Sequence, residues 1–155
     1  MSLAHESRLT PHRRLPIQAA PVDAEEASLH ITVVFTSVEA TLEALREAGV
    51  LADRLGGQID LVVTQVVPYP LPLSSPPVLL EWSERRFRVM AADSPVETKV
   101  RIYLCRDRLE ALVAKLREHS VVVVGGRKRW WPTAETRLAR ALRKVGHEVI
   151  FKETE

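Results

Sequence analysis

Residues 121–136, VVVVGGRKRWWPTAET, limit the fold more than any other stretch. Four valines in a row favour a short buried strand, because β-branched side chains suit a pleated surface. Gly125 and Gly126 follow, and glycine lets the backbone turn tightly or lie close to a ligand. Then come Arg127, Lys128, Arg129, Trp130 and Trp131, with a helix expected after Thr133. The remainder of the chain must supply a sheet for this strand and a partner for this helix.

The preceding residues do so in alternation. The run HITVVFT at residues 30–36 reads as a buried strand. Ser37 is placed to cap a helix over residues 39–55, in which Leu42, Leu45, Ala48, Ala52 and Leu55 recur at steps of three and four. Gly56-Gly57 ends it. QIDLVVTQVV at residues 58–67 is a second buried strand, followed by a loop with prolines at 68, 70, 72, 76 and 77.

Pro77 is suited to open a helix reaching Ala92. Trp82 and Phe87 are expected to pack on the sheet, with Arg85, Arg86 and Arg88 in water; the alternative makes Trp82 and these arginines a partner surface. Residues 97–104, ETKVRIYL, alternate apolar and polar, as an edge strand does. Asp107 and Glu110 form a capping pair for a helix running to His119. The helix after Thr133 turns Leu138, Ala141, Leu142 and Val145 inward and ends at Gly146, before a last strand at residues 148–152.

The predicted class is therefore α/β: a doubly wound, five-stranded, mainly parallel, Rossmann-like sheet. It occupies residues 29–155, behind a flexible arm over residues 1–28 that holds prolines and arginines but no steady hydrophobic period. In such sheets ligands bind at the strand carboxyl ends, where the winding reverses. That places Thr36 and Ser37 opposite Gly125, Gly126 and Arg127, near a helix N-terminus at residues 133–136 that favours an anion.

Several functional classes lack support. A charge of +2, from 22 Lys+Arg against 20 Asp+Glu, does not point to nucleic acid. No apolar run approaches the ~18 residues of a membrane helix. The five histidines are scattered, without metal-ligand spacing. No catalytic constellation, nucleophile elbow or Walker-type loop is present. The single cysteine, Cys105, fits a reducing compartment, and a cytoplasmic protein is expected. Cys105 is either an activated thiol beside Arg106 and Arg108 or a small buried residue.

The segments ITVVFTSVEA, LADRLGGQIDLVVTQVV, VVVVGG and TRLARALRKVGHEVIF, spread over residues 30–153, resemble the universal stress protein family. The resemblance implies a five-stranded α/β fold, dimerisation and, in one branch, ATP binding. That branch carries a loop of Gly, two residues, Gly, nine residues, then Gly-Ser or Gly-Thr. Here Arg127, Lys128 and Arg129 follow Gly125-Gly126, and Glu135-Thr136 stands where Gly-Ser is expected. Thr36 replaces the acidic residue that often ends the family's first strand.

The expected role is a non-enzymatic stress-response or regulatory binding module without the family's usual ATP site and without a cofactor. The alternative holds ATP or AMP by side chains, with Arg127 and Arg129 on phosphate beside Thr36, Ser37, Gly125, Gly126 and Thr136, and hydrolyses it slowly at most. A third is a pure dimerisation module. Trp130 and Trp131 either stack on a base or cover the sheet end. A homodimer is expected through Val149 and Phe151 of the last strand, with a protein partner in addition and neither membrane nor nucleic acid.

Overall fold

The computed structural model describes the backbone of residues 3–7 and all of residues 29–155. The strands are β1 (Leu3–Ser7), β2 (His30–Val34), β3 (Gln58–Val66), β4 (Thr98–Cys105), β5 (Val121–Gly126) and β6 (Glu148–Glu153). The helices are α1 (Val38–Leu55), α2 (Leu80–Ala92), α3 (Arg108–Lys115) and α4 (Ala134–Val145). They alternate as expected from β2 onward. The sheet order is β1-β4-β3-β2-β5-β6, with β2 to β6 parallel and β1 antiparallel to β4.

Two corrections concern this first strand. The sequence places residues 1–28 in an arm, yet residues 3–7 pair with β4 from Leu3 opposite Leu104 to Ser7 opposite Val100. Residues 8–28 lie outside the described part. With β1 in place β4 is no longer an edge. A bare edge leaves a row of N–H and C=O groups unpaired, which an added strand satisfies. Of the polar positions of β4 that suggested an edge, Tyr103 is buried in the core and Arg101 places Nε 3.8 Å from Asp60 on β3. His30 Nδ1 lies 3.5 Å from the same carboxylate.

Winding reverses at β2. The chain leaves it through α1 towards β3 and β4, and returns through α3 to β5 on its other side. Two cores result. Ala44, Leu45, Ala48 and Ala52 of α1 pack with Phe87, Met90 and Ala91 of α2 on one face of the sheet. Leu112 of α3 and Leu138, Ala139 and Leu142 of α4 pack on the other. The alanine stripe lets α1 lie close to the sheet. Leu55, assigned to the buried face, is mostly exposed.

Three helices have side-chain N-caps. Ser37 accepts from the Ala40 amide at 3.3 Å, Asp107 from Glu110 at 2.7 Å and Thr133 from Thr136 at 3.2 Å. Gly56 and Gly146, at φ of 66° and 110°, terminate α1 and α4 in the left-handed conformation. The helix α2 starts at Leu80 rather than Pro77 and lacks a side-chain cap, and α3 ends at Lys115, short of His119.

Candidate functional site

The reversal places the carboxyl ends of β2 and β5 side by side, with the N-termini of α1 and α4 above them. A crevice of about 480 Å³ opens there, lined by Ser37, Glu39, Gly126, Arg127, Arg129, Trp131, Thr133 and Glu135 among others. Four of the seven candidate residues from the sequence, Ser37, Gly126, Arg127 and Arg129, line it. Thr36, Gly125 and Thr136 do not.

Each of the three absentees is held by the protein itself. The Thr36 hydroxyl donates to the Gly125 carbonyl at 2.8 Å and ties the ends of β2 and β5 together. A Cβ on Gly125 would stand 2.1 Å from the Ala40 carbonyl oxygen, so this glycine admits the first turn of α1. The Thr136 hydroxyl donates to the Thr133 carbonyl at 2.9 Å, inside the first turn of α4.

Gly126 reaches the crevice, but its open side is occupied. A Cβ there would stand 2.7 Å from Cβ of Glu135 and 3.1 Å from Cζ of Phe151. The stem of Glu135 therefore fills the space that a glycine in a phosphate loop leaves for its ligand. Ser37 has its oxygen committed to the α1 cap.

Charge in the crevice is balanced. Arg127 approaches Glu39 to 4.0 Å, and both side chains are well exposed. Arg129 lies over the ring of Trp131 at 5.4 Å, and Trp131 meets Trp130 edge to face at 4.8 Å. Two arginines thus share the walls with Glu39 and Glu135. An arriving anion meets both signs.

One residue at this end escaped the sequence argument. Arg108, in the first turn of α3, donates from its guanidinium to the Phe35 carbonyl just beyond β2. Its Nε is buried without a hydrogen-bond partner. Burial pushes this guanidinium below its ordinary value, and Glu135 opposes the shift. A sequence signal existed: a cation in a first helical turn opposes the helix dipole, and local conflicts of this kind concentrate at sites.

Cys105 is a buried free thiol. Burial raises its pKa, with Asp107 acting in the same direction and Arg108 against it, so it is not an activated thiolate. Among the described residues no group of three His, Cys, Asp or Glu side chains comes together as a metal site. No helix among them is long and apolar enough to cross a membrane. Trp82 departs from expectation. Phe87 is buried against Phe35, whereas Trp82 is half exposed beneath Arg86.

No protein-family model matches the chain, and no curated protein is similar to it in sequence. Solved structures share its architecture. A universal stress protein from Archaeoglobus fulgidus superposes with a TM-score of 0.55 at 14% identity, over 84% of this chain and 98% of that one. The universal stress protein UspA from Lactobacillus plantarum gives 0.56 at 16% identity, over 81% and 97%. With five parallel strands wound about β2 and two helices on each face, the chain has the fold of the universal stress proteins.

Proposed function

We propose that the protein is a non-enzymatic binding module of the universal stress protein type, acting in stress response or regulation in the cytoplasm, and that its crevice does not hold ATP through a glycine loop. The observation that carries this reading is Glu135 lying against Gly126. A phosphate brought to that backbone would displace the glutamate stem and meet its carboxylate. Preorganised amides at a helix N-terminus favour an anion only while the place is free.

Calorimetry with ATP and AMP on nucleotide-stripped protein tests the proposal. No saturable heat is expected up to about 1 mM nucleotide, an affinity limit near −4 kcal/mol. Micromolar affinity that is lost in Arg127→Ala/Arg129→Ala would replace it with the second reading, nucleotide binding by side chains. One observation favours that second reading: Arg129 and Trp131 present a cation and an indole on the same wall.

The same proposal includes a homodimer. The outer edge of β6 pairs with no strand among the described residues, and Val149 and Phe151 lie along it. An open edge of this kind can pair with its copy about a twofold axis.

A further inference from the structure

All three tryptophans of the chain, Trp82, Trp130 and Trp131, are exposed to at least 45%, although tryptophan is ordinarily well buried. They also lie at one end of the molecule. Because β3, β2 and β5 are parallel neighbours, the loops after β3 and β5 leave from the same end of the sheet. Two strand spacings of ~4.8 Å separate their roots. Trp82 stands in the first turn of α2, which the first of these loops enters.

The two loops have complementary compositions. Residues 67–79, VPYPLPLSSPPVL, contain no charged side chain, yet Tyr69 is 80% and Leu79 75% exposed. Residues 127–133, RKRWWPT, carry three cations and no acid, and Trp130 is 91% exposed. Arginines stand over three of the exposed rings: Arg106 over Tyr69 at 4.1 Å, Arg86 over Trp82 at 5.8 Å and Arg129 over Trp131 at 5.4 Å. The acids at this end stand outside the two loops: Glu39, Glu81, Glu110 and Glu135 in first helical turns, Asp107 at the cap of α3, and Glu153 and Glu155 at and beyond the end of β6.

From this arrangement we propose that the carboxyl end of the sheet docks peripherally onto an anionic lipid surface. Tyr69, Leu79 and Trp130 enter the headgroup boundary, and Arg127, Lys128 and Arg129 lie against the lipid phosphates. Aromatic rings with a polar edge favour that boundary, and clustered cations are drawn to anionic leaflets. A single-stranded nucleic acid would use the rings and cations but has no use for an uncharged aliphatic loop. A lipid surface takes two separate tips without a shaped groove, since apolar burial is non-directional.

The proposal goes beyond the crevice reading. Nucleotide calorimetry is read without lipid, so failure of one leaves the other standing. The test is co-sedimentation of the full chain with phosphatidylcholine vesicles, with and without a phosphatidylglycerol fraction, together with tryptophan emission. Every tryptophan lies at this end, so the emission reports on it alone. Binding to the anionic vesicles with a blue shift is expected, and little binding to neutral ones. Arg127→Ser/Lys128→Ser/Arg129→Ser should weaken it on the order of a hundredfold. Leu79→Ser/Trp130→Ser should weaken it about tenfold, with unchanged circular dichroism. No binding at low salt would overturn the proposal. So would binding without a blue shift that Leu79→Ser/Trp130→Ser leaves unchanged, which is adsorption by charge alone, or tighter binding to a single-stranded oligonucleotide than to the vesicles.

Discussion

Gly125 and Gly126 are adjacent and lack a side chain for different reasons. At Gly125 the obstacle to a Cβ is backbone, the Ala40 carbonyl at 2.1 Å. Backbone cannot rotate away, so α1 would have to lift from β5. At Gly126 the first obstacle is Glu135 Cβ at 2.7 Å, which the backbone of α4 holds in place, with Phe151 close behind. Both alanines overpack, and the deeper overlap at Gly125 makes it the costlier: Gly125→Ala should cost about 3 kcal/mol and Gly126→Ala about 2 kcal/mol. Thermal denaturation of both variants checks this, and equal losses would refute the distinction. The sequence located the turn and the crevice rim, because four valines, two glycines and three cations are local signals. It could not say what fills the space beside each glycine, since Ala40 meets Gly125 only through the fold. The same holds for Arg108, which lies far along the chain from the Phe35 carbonyl it binds.

Among the elements, β2 to β6, α1, α3 and α4 were legible because each carries a run or a period of its own; α2, whose pattern is mixed, was placed from Pro77 and starts at Leu80. The strand β1 was not. Its five residues, LAHES, have no pattern that separates strand from coil, and only the edge of β4 makes them a strand. The turn between α4 and β6 shows a different kind of coupling. His147 is buried, with Nδ1 3.1 Å from the Ser120 hydroxyl, and its neighbour His119 places Nδ1 3.2 Å from the Gly146 carbonyl. Burial, and then His119, lower the His147 pKa below 6.5. The folded state thus takes up its proton less readily than the unfolded chain. Its stability is complete above about pH 6.5, declines as the pH falls below that value, and levels off below the folded pKa. Melting followed from pH 7.5 to 5 should show the decline, and His147→Gln should make it shallower. Parallel curves for the two proteins would show that His147 contributes nothing to it.

At the scale of the whole molecule, the two ends of the sheet order behave differently. Beside β4 the chain supplies its own cover in β1; beside β6 no strand pairs among the described residues, and a side chain, Arg143, donates to the Val149 carbonyl at 3.1 Å. The amides of Glu148 and Thr154 donate towards β5, to Ser120 and Gly126. Because successive residues of a strand point their backbone groups to opposite sides, Val149, Phe151 and Glu153 direct theirs to the open edge. Arg143 satisfies one carbonyl of that row and leaves the stretch around Phe151 to pair with a copy of itself. Light scattering at micromolar concentration should accordingly return twice the chain mass. Glu153→Pro removes an outward N–H without touching the β5 ladder, so it should weaken dimerisation by about tenfold while the melting of the dilute protein changes little. A single-chain mass for the unaltered protein would mean that Arg143 and the charges of β6 protect the edge rather than prepare it, and that the protein acts as a monomer.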